Sequence, residues 1–175
     1  MELKKKLILI LPVTVFAAAL DLYTKSLAVQ YLRPKGHNGV AIIQNFFELQ
    51  YAENRGMLFG LGQGISTALL VGLSLLVVAA MIYFIIKIPY RFKVTHVAFA
   101  LVLAGAIGNR VDRIHLGYVV DFILWRYYEH IWPNFNFADV YITVGVGLLF
   151  AQMLFSKEDP FGVMAEKDGK ENQKK

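Results

Sequence analysis

The chain contains no cysteine. That excludes disulfides, a thiol nucleophile and cysteine-ligated metal, and it leaves the redox compartment unreadable from thiols. Charge is also scarce, at 18% of 175 residues. A soluble domain of this size carries more. Ligand-spaced histidines are missing too: His37, His96, His115 and His130 have none of the separations that hold zinc, so no metal and no cofactor is expected. Ser66 and Ser74 have no His or Lys partner nearby in sequence, which makes a serine nucleophile unattractive. There is no internal repeat; "ENRG" and "GNRV" share only a dipeptide. The net charge is +5. The basic residues do not form a stripe with interleaved aromatics, so nucleic acid is not an expected partner.

Apolar residues fill the space instead. They make up 57% of the chain, and the mean hydropathy is +0.49. Uncharged runs cover 7–20, 56–86, 94–109 and 140–156. A spanning helix needs ~20 mostly apolar residues. The second run has that length in full, and the others reach it by taking a charged or polar group into one end. The expected fold is a mainly α, polytopic membrane protein with four transmembrane helices near 6–27, 65–87, 94–114 and 138–156. Residues 1–156 are read as one four-helix transmembrane domain and 157–175 as a polar, disordered cytoplasmic tail.

The first run has a competing reading. "KKK", an apolar stretch and "FAAALD" look like a secretory signal with a small-residue cleavage site after Ala19. Lys and Arg decide between the two. Lys4, Lys5 and Lys6 precede the first run, "KIPYRFK" links the second and third, and Lys157 begins a lysine-bearing tail. These segments share one side only if four spans are kept and both termini are cytoplasmic. The longer loops face outward. In one, Phe47, Leu49 and Tyr51 alternate with Glu48, Gln50 and Ala52, which is a half-buried strand pattern followed by a turn at "NRG". A small extracytoplasmic β-element is expected there. In the other, "FILWRYYEHIWPNFNF" is rich in aromatics and suits the headgroup level as an interfacial, helical segment.

Topology then gathers the polar residues. With a rise of 1.5 Å per residue, Asp21 lies ~22 Å along the first helix, near the outer edge of a ~30 Å core. Asn54, "GNRVDR", Asp121, Asn136 and Asp139 fall in the same outer slab. Ionisable groups at that depth usually face a protein interior. Each residue also has a plainer reading. Asp21 and Lys25 are spaced i,i+4 and suit a simple ion pair. Asp112 and Arg113 suit interfacial charges facing water, the better reading for Asp112 and for Arg110. Asp139 suits a helix cap, and Gly105 and Gly108 suit close helix packing. The chemical reading is that Asp121 and Asp139, at the ends of neighbouring helices, share a proton and activate water against an amide. A proton or cation path and a purely structural polar slab are the alternatives. A transporter is disfavoured because repeats and broken-helix pairs are missing.

"DLYTK" (21–25), "NRG" (54–56), "AGAIGNRVDRIHLGYVVDF" (104–122) and "FNFAD" (135–139) resemble the lipoprotein signal peptidase, or signal peptidase II, family. All four blocks occur in family order, and the third and fourth are specific. The resemblance implies an intramembrane aspartic protease of the bacterial inner membrane, with its site towards the outer leaflet. It implies cleavage of prolipoproteins just before a diacylglyceryl-modified cysteine, so the implied partners are that precursor and membrane lipids. It implies Asp121 and Asp139 as the catalytic pair, with Asp21, Lys25, Asn54, Gly108, Asn109, Arg113 and Asn136 as supporting positions. It also implies that the first helix is retained. Met57 and Leu58 depart from the family, which usually has small residues there.

Overall fold

The computed structural model describes residues 1–36, 38–56, 67–156 and 158–162. Four helices carry the architecture: α1 Glu2–Tyr31, α2 Thr67–Lys87, α3 Lys93–Leu116 and α4 Phe137–Phe155. Among the described residues, α1, α3 and α4 are long and apolar enough to cross a membrane, and α2 contributes a shorter apolar stretch from Gly72 to Lys87. The start expected for the second span, and the departures at Met57 and Leu58, lie outside the described residues. So does most of the expected tail. Its described part packs back on the bundle: Glu158 pairs with Arg91 at 2.6 Å, and Phe161 meets Phe84 edge-on.

The burial pattern is inverted relative to a soluble protein. Leu7, Phe16, Leu76, Phe150 and Leu154 are exposed, whereas Lys6, Asp21, Lys25, Asp121 and Asn136 are buried. Helices surrounded by lipid gain nothing from hiding apolar side chains from it, so close packing and polar contacts hold them together. α3 packs against all three other helices; it meets α1 and α4 at glycines, and α2 through Phe84 stacked on Phe99. A Cβ on Gly105 would collide with the Ala138 carbonyl oxygen, and one on Gly145 would lie 2.7 Å from that of Ala98. One apolar cluster, with Ile10, Ile85, Phe92 and Phe99, fills the end near Lys6. Another, with Ala28, Leu32, Val120, Ile123 and Phe135, joins the opposite end to the sheet.

The sheet has four antiparallel strands in the order β1 Val40–Ile43, β2 Phe47–Asn54, β3 Val119–Tyr127 and β4 His130–Ile131. The alternation seen at 47–52 is β2. The interfacial helix expected within 115–137 is not formed: this region is β3, a short hairpin and β4. Residues Val119–Leu124 are all buried, so the stretch lacks the period-two signature of a one-sided strand. Pairing with β2 places Asp121 opposite Ala52 and Asn54 opposite Val119, with a register shift between Leu49 and Ala52.

Candidate active site

Every candidate site residue named from the sequence converges on one buried place. Asp21 and Lys25 come from one face of α1. Asn109, Asp112 and Arg113 share a face of α3 at i, i+3 and i+4 spacing. Asn54 ends β2, Asp121 sits in β3, and Asn136 and Asp139 open α4. Gly108 lies directly under Asp21, whose Oδ2 occupies the space where a Cβ would stand.

Two of the sequence expectations are corrected. Asp121 is on a strand, not at the end of a helix. Asp112 is buried, not water-facing: its Oδ2 lies 3.1 Å from Lys25 Nζ, which also contacts Asp21 Oδ2 at 2.9 Å. The spacing that turns Asn109 and Arg113 into the site puts Asp112 on the same face, and that was the available signal. Arg110 is half-buried and donates to Ser74 Oγ at 2.7 Å.

The two carboxylates suggested as a pair are each held by amide donors. Asp121 is only 2% exposed. Its Oδ1 accepts from Asn136 Nδ2 at 2.6 Å, and its Oδ2 accepts from Asn54 Nδ2 at 3.0 Å. Asp139 Oδ1 accepts from Asn109 Nδ2 at 2.9 Å. Asp139 also belongs to a capping box: Asn136 is the cap and accepts the Asp139 N–H at 3.0 Å, while Asp139 Oδ2 accepts the Asn136 N–H at 3.3 Å. The capping reading and the site reading therefore describe one residue. Among the described residues Arg113 donates to no carboxylate; it reaches the carbonyl oxygens of Gly56 at 2.7 Å and Asn109 at 3.3 Å. That ties the end of β2 to α3.

The amide orientations follow from the network. An ammonium can only donate. Lys25 donates to Asn109 Oδ1 at 2.9 Å, which leaves Asn109 Nδ2 to face Asp139. Asn54 Oδ1 is occupied by the Gly56 N–H at 2.9 Å, so its Nδ2 faces Asp121. Burial pushes the Asp121 carboxyl up to about 7, the nearby Asp139 charge reinforces the rise, and the Asn54 and Asn136 donors oppose it. Beside Asp139 a groove of about 230 Å³ runs along α4, lined by Trp125, Trp132, Phe135, Val140, Thr143 and Val144. Chemically, the site offers two buried carboxyl groups next to an apolar groove.

Apolar helices around a buried carboxylate site, capped by a small sheet, define a multi-pass helical membrane protein. The family model for signal peptidase (SPase) II matches residues 13–155, and the chain belongs to that family. It is 39% identical over 140 residues to a lipoprotein signal peptidase of Symbiobacterium thermophilum, covering 80% of this chain and 90% of that one. It is 40% identical over 143 residues to a lipoprotein signal peptidase of Caldanaerobacter subterraneus subsp. tengcongensis, covering 82% and 94%. One from Francisella tularensis subsp. novicida is 40% identical over 153 residues, covering 85% and 92%. Among solved structures, a bacterial membrane enzyme determined in meso at 2.3 Å resolution superposes with a TM-score of 0.74 at 30% identity, covering 85% of this chain and 91% of that one. A second, at 1.9 Å resolution, has the same TM-score and identity and covers 84% and 93%.

Proposed function

We propose that the chain is an intramembrane aspartic endopeptidase that removes signal peptides from prolipoproteins, cutting just before a diacylglyceryl-modified cysteine. The observation that carries this reading is the Asp121–Asp139 pair: two buried carboxyl groups on different elements, each gripped by an Asn amide, in a chain of the signal peptidase II family. A water between them would lose a proton to one carboxylate as it attacks the scissile carbonyl carbon. The other carboxyl would protonate the carbonyl oxygen. Collapse of the tetrahedral species breaks the C–N bond, with a proton passing to the leaving amine, and gives a free carboxyl end and a free amino end. No covalent acyl-enzyme forms. Asp21, Lys25, Asn54, Gly108, Asn109, Arg113 and Asn136 would hold this geometry. The testing experiment is cleavage of a purified precursor by the purified protein. A lipidated precursor should be cut and an unlipidated one cut poorly. Equal rates for both would remove the lipid from recognition.

The proposed arrangement in the inner membrane has four spans, both termini cytoplasmic and the site towards the outer leaflet, with residues 1–156 acting as one catalytic domain. The distribution of Lys and Arg supports it. Reporter fusions after Gln63 and after Trp132 should signal the outer side, and a fusion after Pro89 the inner side. An outer signal at Pro89 would refute four spans.

The pair also sets a pH dependence. Its working form holds one proton, so kcat/KM should decline as pH rises through about 7, where Asp121 ionises. The Asn54 hydrogen bond favours the ionised carboxylate. Asn54→Leu removes it, so this alkaline decline should move to higher pH in the variant. An unmoved decline would detach Asn54 from the pair.

A further inference from the structure

Two backbone N–H groups in the site have side-chain partners that the proposed reaction leaves unused. Asp21 Oδ1 accepts the N–H of Ala138 at 2.8 Å, one residue before Asp139. Asp112 Oδ2 accepts the N–H of Val120 at 3.0 Å, one residue before Asp121. The same device thus occurs twice: a buried carboxylate grips the backbone immediately ahead of each aspartate of the pair. Lys25 stands between the two grips, at 2.9 Å from Asp21 and 3.1 Å from Asp112.

We infer that Asp21, Lys25 and Asp112 form a charge clamp that sets the spacing of Asp121 and Asp139, and that Asp112 is a positioning residue for the reaction. The inference rests on the reading of Asp121 and Asp139 as the reacting pair. The physical case starts from their placement. β3 and the first turn of α4 are different elements, and neither is covalently close to the other's anchor. Misplacing a reacting group by about 1 Å can cost about 100-fold in rate. The clamp refers both elements to one ammonium on α1. Asp21, Lys25 and Asp112 are 0%, 2% and 6% exposed, so water and salt weaken these contacts little. Hydrogen bonds to ionised acceptors are stronger than neutral ones, which suits carboxylates rather than amides for the grip. Lys25 supplies the one positive charge that both buried carboxylates contact, which ties the two grips together.

The test is steady-state turnover of a lipidated precursor by the full chain, with rates expressed per folded protein. Asp112→Leu leaves Lys25 paired with Asp21, so no buried charge is orphaned; it removes the grip on Val120 and one of the two carboxylates on Lys25. Its kcat should fall about 10- to 100-fold while KM stays within about 3-fold. One oxygen of Asp112 serves both Val120 and Lys25, so Asp112→Asn can keep both contacts and should restore most of the loss. Asp112→Ala removes the same acceptor with a smaller side chain and is read identically if the Leu variant does not fold. Lys25→Met should also lower kcat, and adding Asp112→Leu to it should be hardly worse, because parts of one unit do not act additively. Wild-type kcat in Asp112→Leu or Asp112→Ala, an effect on KM alone, failure of Asn to rescue, or losses that multiply would each overturn the clamp. A wild-type protein that does not cut the precursor would instead sink the peptidase reading.

Discussion

Asp139→Asn is expected to abolish most turnover while leaving the protein folded. Asp139 does two things, and they diverge in this variant. As the third residue of α4 it closes the capping box with Asn136, and an amide oxygen can still accept there. Two donors point at Asp139, from Asn109 and from the Asn136 backbone, and one amide oxygen cannot serve both as two carboxylate oxygens do. The stability loss should therefore be about 1–2 kcal/mol. The chemical loss is larger. An amide neither takes the proton of an attacking water nor gives one to a carbonyl oxygen, and a single acid/base function is worth about 10²–10⁴ in rate. Asp121→Asn should match it, and the double variant should be hardly slower than either single one. The measurement is cleavage of a lipidated precursor by correctly inserted single and double variants. Near-normal turnover by Asp139→Asn would reduce Asp139 to a capping residue and end the two-carboxylate mechanism.

Gly108→Ala, a change of one methyl group, should be nearly as damaging. The new Cβ would collide with Asp21 Oδ2. A flexible side chain could swing away at little cost, but Asp21 is pinned by the Ala138 N–H and by Lys25. Moving it breaks the grip on the residue before Asp139 and leaves Lys25 one carboxylate short. Overpacking a tight interior costs about 1–3 kcal/mol, and breaking a buried ion pair about 3–5 kcal/mol. A stability loss of about 3 kcal/mol and at least a tenfold loss of turnover are expected. Thermal unfolding in detergent together with precursor cleavage would measure both. A variant as stable and active as wild type would mean that α1 and α3 separate freely at this level. Gly105→Ala provides a comparison on the same helix, because its Cβ would meet the Ala138 carbonyl rather than a charged group.

Much of this site was legible before any coordinates. Long uncharged runs require helices, because lipid offers the backbone no hydrogen bonds. Helix direction and rise then brought Asp21, Asn54, Asn109, Asn136 and Asp139 to one level, and the motif blocks named the same residues. The position of Asp121 was legible only in part. Its segment, "VVDFIL", is apolar on both sides of the chain, and a short apolar run has the same pattern whether it is helix or strand. β2 decides the matter, since its backbone groups pair with those of Asp121 and its neighbours from nearly seventy residues away in the chain.

The sequence by itself determined the apolar helices, the gathering of the polar residues and the family, because each follows from local composition, spacing or ordered motifs. Only the tertiary structure decided that Asp112 faces inward, that Lys25 joins two carboxylates rather than one, and that each Asn presents its NH₂ to an aspartate. Those outcomes depend on which groups from distant segments meet at hydrogen-bonding distance. Donor and acceptor matching in a buried space is a property of the assembled helices and sheet, and no single segment carries it.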